Sequence, residues 1–405
     1  MQSEFKRHWP IVLVAGVGVA CGSSPIPFFA LGVFTKAWVT EFGWTRGQTA
    51  LLMTFFTYGS VLGSPIAGTL LDKFGVRRVG VAALVALAVG LVMLSNFSDS
   101  LYAFYGIAFG AAFFASGSLP GTWSRAVMER FDAKRGLALG LALTGTGLSA
   151  VILPQYATWL MEHFDWRVAF LGIAALPGLI AAPVVWLFLP KESTAQVEKV
   201  QAAEGVTVRV AAGTYRFWVI AASFVLVSLG VGGLIMHMIP MLTDRGYSPG
   251  EAAAVASVQG LALIAGRVVT GYLLDRLWAP GLTAVILAFP ALACLIFATE
   301  IGGATGAGAA AAIMGFAAGA EIDLLAFLIG RYFGMKHFGA IYGVLYAAFI
   351  IGAGSAPALF GYAYDVSGSY AFILKVAAAC FTGGAVLILT MGRYPALSRA
   401  PSAPV

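Results

Sequence analysis

Twelve apolar runs, each close to the length of a bilayer-spanning helix, fill this chain from end to end. They fall at 9–35, 47–71, 76–96, 100–127, 136–161, 167–189, 215–241, 250–274, 280–299, 304–330, 338–363 and 370–392. About 20 helical residues cross the hydrocarbon core of a membrane. In lipid, every backbone N–H and C=O must find its partner inside such a segment. The pattern therefore predicts an all-α membrane protein. Composition agrees: only 10% of the 405 residues are charged, where a soluble domain carries about 25%. The 50 glycines show no three-residue period, so they suit close helix–helix contact rather than collagen. The apolar run from Trp9 to about Val33 follows a basic N-terminus, as a secretory signal would. No small-residue cleavage site ends it, so it reads as a retained first transmembrane helix.

The net charge of +6 does not call for nucleic acid as a partner. With the N-terminus in the cytoplasm, eighteen of the 24 Lys and Arg fall on the inner side and five on the outer, leaving Arg267 inside a span. Basic residues collect in cytoplasmic loops. Both termini and the polar stretch 190–214 are thus expected on the cytoplasmic face of the plasma (inner) membrane. The domains read as an N-terminal six-helix bundle at 1–189, the cytoplasmic segment at 190–214 and a C-terminal six-helix bundle at 215–405. Cys21, Cys294 and Cys380 all lie in apolar segments, and their spacing suits neither a metal site nor a disulfide framework. No metal-ligand spacing, nucleophile–base constellation or GxxxxGK[ST] loop is present, so no enzyme, cofactor, metal or ATP-driven pump is expected. A solute sensor would need a signalling domain, and 190–214 is too short for one.

The two halves repeat. At a constant offset of 203, Gly63 falls on Gly266, Gly68 on Gly271, Asp72 on Asp275, Gly136 on Gly339 and Pro154 on Pro357. GTLLDKFG (68–75) answers GYLLDRLW (271–278). A fixed register over two separate helices of each half predicts two pseudo-symmetric six-helix bundles. That is the architecture of a transporter that rocks around a midplane site between its repeats.

The stretch GTLLDKFGVRR (68–78) resembles the signature of the major facilitator superfamily, G-x-L-x-D-x-x-G-x-R-[KR], at every fixed position. The second copy keeps Gly271, Asp275 and Arg276 and loses the later glycine and basic pair. Gly68 permits close helix packing, while Asp72, Arg77 and Arg78 can form charge contacts that hold one closed state and break on rocking. Gly271, Asp275 and Arg276 are the matching gating candidates. Within the superfamily the chain is similar to the monocarboxylate-porter and oxalate/formate-antiporter branch, through GVFTKAWVTEFGWTRGQ (32–48), RGLALGLALTGTGLSAVILP (135–154), DWRVAF (165–170), HMIPMLTDRGYSP (237–249), GAEIDLLAFLIGRYFG (319–334) and the run 338–370.

An ionisable group in the hydrocarbon layer costs several kcal/mol and marks a functional candidate. The resemblance gives Arg267, four residues before Gly271, the role of binding a substrate carboxylate. A planar guanidinium grips a carboxylate with two hydrogen bonds. Two other readings of Arg267 stand beside it: an internal pair with Glu321 or Asp323, and a side chain stretched toward the cytoplasm. Glu321 and Asp323 are two residues apart on one helix, about 200° around it, so both cannot face one cavity. One is expected to carry a proton and the other to hold a neighbouring helix; two structural contacts are the alternative. The resemblance places His237 in the substrate cavity and gives Asp244 a proton role, although Asp244 repeats Glu41 and so also fits an architectural part. Phe28, Phe29, Tyr342 and Tyr346 are aromatic candidates for the cavity wall, with Phe28 and Tyr346 chosen as substrate contacts. Helix packing or lipid contact is the plainer role for each.

Some relatives in this branch carry a lysine in the first or the eleventh helix. SSPIPFFALGVF (23–34) and IYGVLYAAFIIGAG (341–354) contain none. A single buried arginine then favours a monoanion over a dicarboxylate. The expected function is secondary active transport of a small organic monocarboxylate with a proton, by alternating access, as a monomer in the lipid bilayer. An exchanger or exporter of other organic anions or amphipathic compounds is the alternative.

Overall fold

The computed structural model describes residues 2–44, 46–96, 100–131, 134–190 and 205–395. Most of the polar segment 190–214, with Lys191 and Lys199, lies outside them, as does Arg399. Among the described residues the chain is helical, with a single isolated β-bridge and no strand. Eleven helices are long and apolar enough to cross a membrane, and one bent pair makes a twelfth span. We label the spans in chain order. α1 is Phe5–Ala20 with Pro25–Phe34, and α2 is Leu51–Phe74. α3 is Val76–Ser95, α4 Leu101–Met128, α5 Arg135–His163 and α6 Trp166–Phe188. α7 is Tyr215–Thr243, α8 Ala254–Leu274, α9 Ala279–Thr299, α10 Gly303–Phe333, α11 Phe338–Ser367 and α12 Ala371–Leu389.

Three spans of the first half are less regular than their hydropathy suggests, and a proline lies at each irregularity. α1 bends by 50° where the chain passes from Ala20 to Pro25. α4 runs through a 3₁₀ turn at Ser116–Ser118 and an extended Leu119 before Pro120 restarts the helix. A proline cannot donate to the ladder, and it drives the residue before it out of the α region. α6 widens to a π-helix over Leu176–Ala181, around Pro177 and Pro183. Hydropathy averages over such breaks, so each run reads as one continuous span. The breaks in α1 and α4 support one another. Ser23 N–H donates to Ser118 Oγ at 3.1 Å, and the Trp123 indole N–H takes the Ser118 carbonyl at 3.0 Å. The Ser23 N–H and the Ser118 carbonyl, both released from the helical ladder, thus find partners inside the protein.

The chain divides into two compact units. The first comprises Met1–Val208 and Tyr332–Ala347, the second Arg209–Arg331 and Ala348–Pro395. Aromatic packing fills the core of the first: Trp38 stacks on Phe34 and lies edge-on to Phe104 and Trp166. Beside it, the indole N–H of Trp166 donates to Glu41, and Arg167 Nη1 pairs with the other Glu41 oxygen at 2.6 Å. In the second unit, α9 and α12 pack on each other, and the buried Phe381 ring of α12 lies against Gly230 of α7.

One close contact displays the internal repeat in three dimensions. A Cβ on Gly63 would run into the carbonyl of Phe113, and a Cβ on Gly266 into the carbonyl of Phe316. Both glycine and phenylalanine recur at the offset of 203. Each half therefore packs its second helix on its fourth through a glycine, as small residues allow where no water drives helices together.

Candidate functional site

A deeply buried charge constellation lies in the second unit. Arg267 Nη1 of α8 meets Asp323 Oδ1 of α10 at 2.7 Å. Arg267 is 2% exposed, Asp323 0% and Glu321 6%. Backbone packing sets up the approach. α8 and α10 touch where Gly315 and Gly319 leave room for the carbonyls of Gln259 and Leu263, and Gly266 for that of Phe316. Glu321 is also within electrostatic reach of the guanidinium. The pair is single-pronged: Arg267 Nε, Asp323 Oδ2 and Glu321 Oε2 are buried without a hydrogen-bond partner, as is Thr270 Oγ1 one turn along α8. A buried charge left partly unsatisfied is costly unless another group completes it.

The offset of 203 shows what is special here. Arg267 answers Ser64, Glu321 answers Ser118 and Asp323 answers Pro120. The second half places three ionisable groups where the first has two hydroxyls and a helix break. Ser64 instead donates to the Gly343 carbonyl at 3.0 Å. The α4 positions are the break that leans on α1.

His237 on α7 has both ring nitrogens engaged. Nε2 lies 2.9 Å from the Pro357 carbonyl and Nδ1 3.0 Å from the Tyr370 hydroxyl. A carbonyl only accepts, so Nε2 carries a hydrogen and donates to Pro357, while Nδ1 meets the Tyr370 hydroxyl. The ring also stacks on Phe360. Asp244, seven residues on at the end of α7, accepts from the Tyr364 hydroxyl. His237 and Asp244 thus join one aromatic cluster with Tyr364 and Tyr370, whose rings are 4.6 Å apart.

A cavity in the first unit is lined by Ser64, Gly68, Ser116, Thr122, Tyr342 and Tyr346, among others. Tyr342 and Tyr346 are buried and stacked 5.4 Å apart. The helix restarted at Pro120 begins at its edge, so the positive end of a helix dipole borders the space. Phe28 does not line it. That ring is half exposed and sits edge-on to Phe29.

The signature between α2 and α3 forms a separate contact. Asp72 accepts from the backbone N–H of Gly339 at 3.0 Å and of Ala340 at 2.8 Å, and pairs with Arg125 of α4. Arg125 Nε is held in turn by Glu129 at 2.6 Å. A carboxylate at a helix start satisfies orphan N–H groups and meets the positive end of the dipole. Gly68 and Gly339 permit the approach, since a Cβ on either would strike the other's carbonyl. The charge partner of Asp72 is therefore Arg125. Arg77 lies over the Trp186 ring at 4.4 Å, and Arg78 is exposed. The second copy differs: Arg276 folds back on its own helix, donating to the Tyr272 carbonyl at 3.0 Å, next to Asp275 at the helix end. Gly271 is buried in α8. Sequence reading had placed Arg125 only among the cytoplasmic cations. Its signal was the i, i+4 pair with Glu129 at the end of a span. Among the described residues, no group of three or more His, Cys, Asp or Glu stands close enough to hold a metal ion.

Twelve spans, an internal two-fold repeat and a charge constellation buried in one half define a multi-pass membrane transporter. The chain belongs to the Major Facilitator Superfamily, whose family model matches residues 11–322. Among curated relatives, monocarboxylate transporter 13 of Bos taurus is 27% identical over 98% of this chain and 92% of its own length. Monocarboxylate transporter 11 of Homo sapiens is 26% identical over 95% and 83%. An uncharacterized 38 kDa protein in the 23S RNA operon of Thermoproteus tenax is 31% identical over 87% and 88%. The fold matches the E. coli fucose:proton symporter FucP with a TM-score of 0.71, at 17% identity over 95% of this chain and 99% of that one. It matches the proton:xylose symporter XylE with a TM-score of 0.78, at 12% identity over 95% of each chain.

Proposed function

We propose that this transporter moves a small organic monocarboxylate together with a proton across the plasma membrane, by alternating access, with Arg267 as the carboxylate anchor. The observation that carries the reading is the Arg267–Asp323 pair, buried in one half and absent from the equivalent positions of the other. Relatives named monocarboxylate transporters, aligned over nearly the whole chain, support the substrate class.

The mechanism follows from charge counting. Arg267 stays cationic at any working pH. With Asp323 and Glu321 beside it, the cluster is neutral only with one proton bound. A substrate carboxylate that replaces Asp323 on the guanidinium brings one more negative charge. Neutrality then requires one more proton, and Asp323, having lost its partner, is the group that takes it. The unpartnered Arg267 Nε gives the anion a second donor. Anion and proton thus stabilise the loaded state together, and differential binding of this kind is what shifts a two-state carrier. Tyr346 is the proposed contact for the apolar part of the substrate. His237 joins by exchanging its Tyr370 contact for a substrate oxygen. The excess of basic residues on one side favours cytoplasmic termini.

The test is uptake of radiolabelled L-lactate and acetate into proteoliposomes under an imposed pH gradient. Expected is gradient-driven accumulation that a protonophore collapses and that Arg267→Ala abolishes at matched reconstitution. Absence of gradient-driven uptake of any monocarboxylate sinks the symport reading. Uptake dependent on a preloaded counter-anion supports an exchanger instead. Normal uptake by Arg267→Ala sinks the anchor.

A further inference from the structure

The end of the central segment is fastened to the turn before α11. Gly205 and Gly334 form an antiparallel β-bridge, and Val206 N–H donates to the Phe333 carbonyl at 3.0 Å. Both glycines are needed. A Cβ on Gly205 would press on the backbone and Cβ of Lys336, and Gly334 sits at φ +79°, where side chains are strained. The turn itself is closed by a bond of 3.3 Å from Phe338 N–H to the Met335 carbonyl. Immediately beyond, Gly339 and Ala340 give their N–H groups to Asp72. A few residues of backbone are thus held on one side by Gly205–Val206 and on the other by the signature aspartate.

We infer that Gly205–Thr207 is a strap that positions the α10–α11 turn and thereby sets the strength of the Asp72 contact. The inference rests on reading that contact as a latch of the transport cycle. It needs no assumption about the substrate. The physical argument is one of constraint. A short turn with a left-handed residue and a single long closing bond has little rigidity of its own. Its geometry is fixed by what it is tied to, and the strap supplies a backbone bond at the start of the turn while Asp72 binds the residues that follow it. Without that bond the turn frays, and the two N–H groups lose their alignment on the carboxylate. The strap residues are positioning residues, since they act through Gly339 and Ala340.

Amide hydrogen exchange of the full-length protein in detergent tests this without any substrate. Val206→Pro deletes the donor of the strap bond. It is expected to speed exchange in the peptide holding Gly339 and Ala340 by about five-fold, the scale of one lost hydrogen bond. Gly205→Ala, a milder change, is expected to act in the same direction, with exchange in α12 unchanged as the control for folding. Asp72→Asn speeds the same amides, and Val206→Pro added to it gives no further acceleration. Unaltered Gly339 and Ala340 exchange in both strap variants overturns the inference. So does acceleration that simply adds to that of Asp72→Asn, which is what independent structural damage would give.

Discussion

Arg267 and Asp323 are joined by one hydrogen bond of 2.7 Å inside a unit whose pseudo-symmetric counterpart carries Ser64 and Pro120 at the same places. A scaffold repeated to the level of Gly63 on Phe113 and Gly266 on Phe316 has no architectural need for that charge pair. Its presence in one half only is what the proposed anchoring role explains. A buried ion pair is weak evidence for stability in any case, because desolvation offsets most of its attraction.

The pair's structural and functional parts separate in a double replacement. Removing one partner of a buried ion pair leaves an uncompensated charge and costs about 3–5 kcal/mol. Asp323→Leu alone should therefore lower the melting temperature in detergent markedly. Arg267→Met with Asp323→Leu removes both charges and is expected to restore most of that loss while leaving gradient-driven lactate uptake at background. Recovery of uptake along with stability would make the pair a packing element and nothing more.

The two carboxyls of α10 should behave differently although they are two residues apart. In the proposed mechanism Asp323 pairs with Arg267 and the resident proton of the cluster sits on Glu321, and Gln copies the shape and hydrogen-bonding of a protonated acid. Glu321→Gln is expected to keep accumulation under a pH gradient within about two-fold of wild type, a change in barrier of less than 1 kcal/mol. Asp323→Asn is expected to keep downhill exchange of labelled for unlabelled anion and to lose its response to the gradient. The reverse pattern, with Glu321→Gln uncoupled and Asp323→Asn driven, would assign the transported proton to Glu321.

Much of this was legible in the chain, for physical reasons that also mark where it stopped. The spans were visible because lipid demands long apolar runs, and the repeat because Gly63, Gly68 and Asp72 recur in fixed register. Arg267 stood out because a charge in an apolar helix is rare. Its partner was narrowed only to Glu321 or Asp323, since helical spacing separates their directions and does not reveal which neighbour lies on which side. The role of Arg125 was hidden for a different reason: it sits at a span end, where basic residues also serve topology. The breaks at Cys21–Ser24 and Ser116–Leu119 were masked by hydropathy, although Pro25 and Pro120 announced them.

Asp72 binds the start of α11 and Arg125 at once, so its neutral isostere isolates the charge. Asp72→Asn keeps the size, loses the charge-assisted part of three hydrogen bonds and removes the Asp72–Arg125 ion pair while the Arg125–Glu129 pair stays. Charge-assisted bonds are roughly twice as strong as neutral ones, and the expected result is a ten-fold or greater loss of transport rate, about 1.4 kcal/mol or more, with normal insertion. Gly68→Val tests the same contact sterically, because any side chain there meets the Gly339 carbonyl. Both variants are checked by initial uptake rate at matched membrane levels. Wild-type rates in both would detach the signature from the transport cycle.

Glu41 offers a pH test outside the membrane spans. Burial pushes its carboxyl up, but the Trp166 indole N–H and Arg167 outweigh that and hold its pKa below the ordinary 4.5. A carboxyl whose pKa is lowered by folding contributes stability above its unfolded pKa and loses it as pH falls through the folded value. The melting temperature of wild type should therefore exceed that of Glu41→Gln at pH 7, and the gap should close on acidification below the ordinary carboxylate range. The pair with Arg167 is more than a third exposed on both sides, so solvent screening limits its share to about 1 kcal/mol or less. High salt should narrow the gap at pH 7 without removing it, because the buried indole contact is screened less than the guanidinium. A gap that stays constant from pH 7 to pH 3 would show that Glu41 acts by shape rather than by charge.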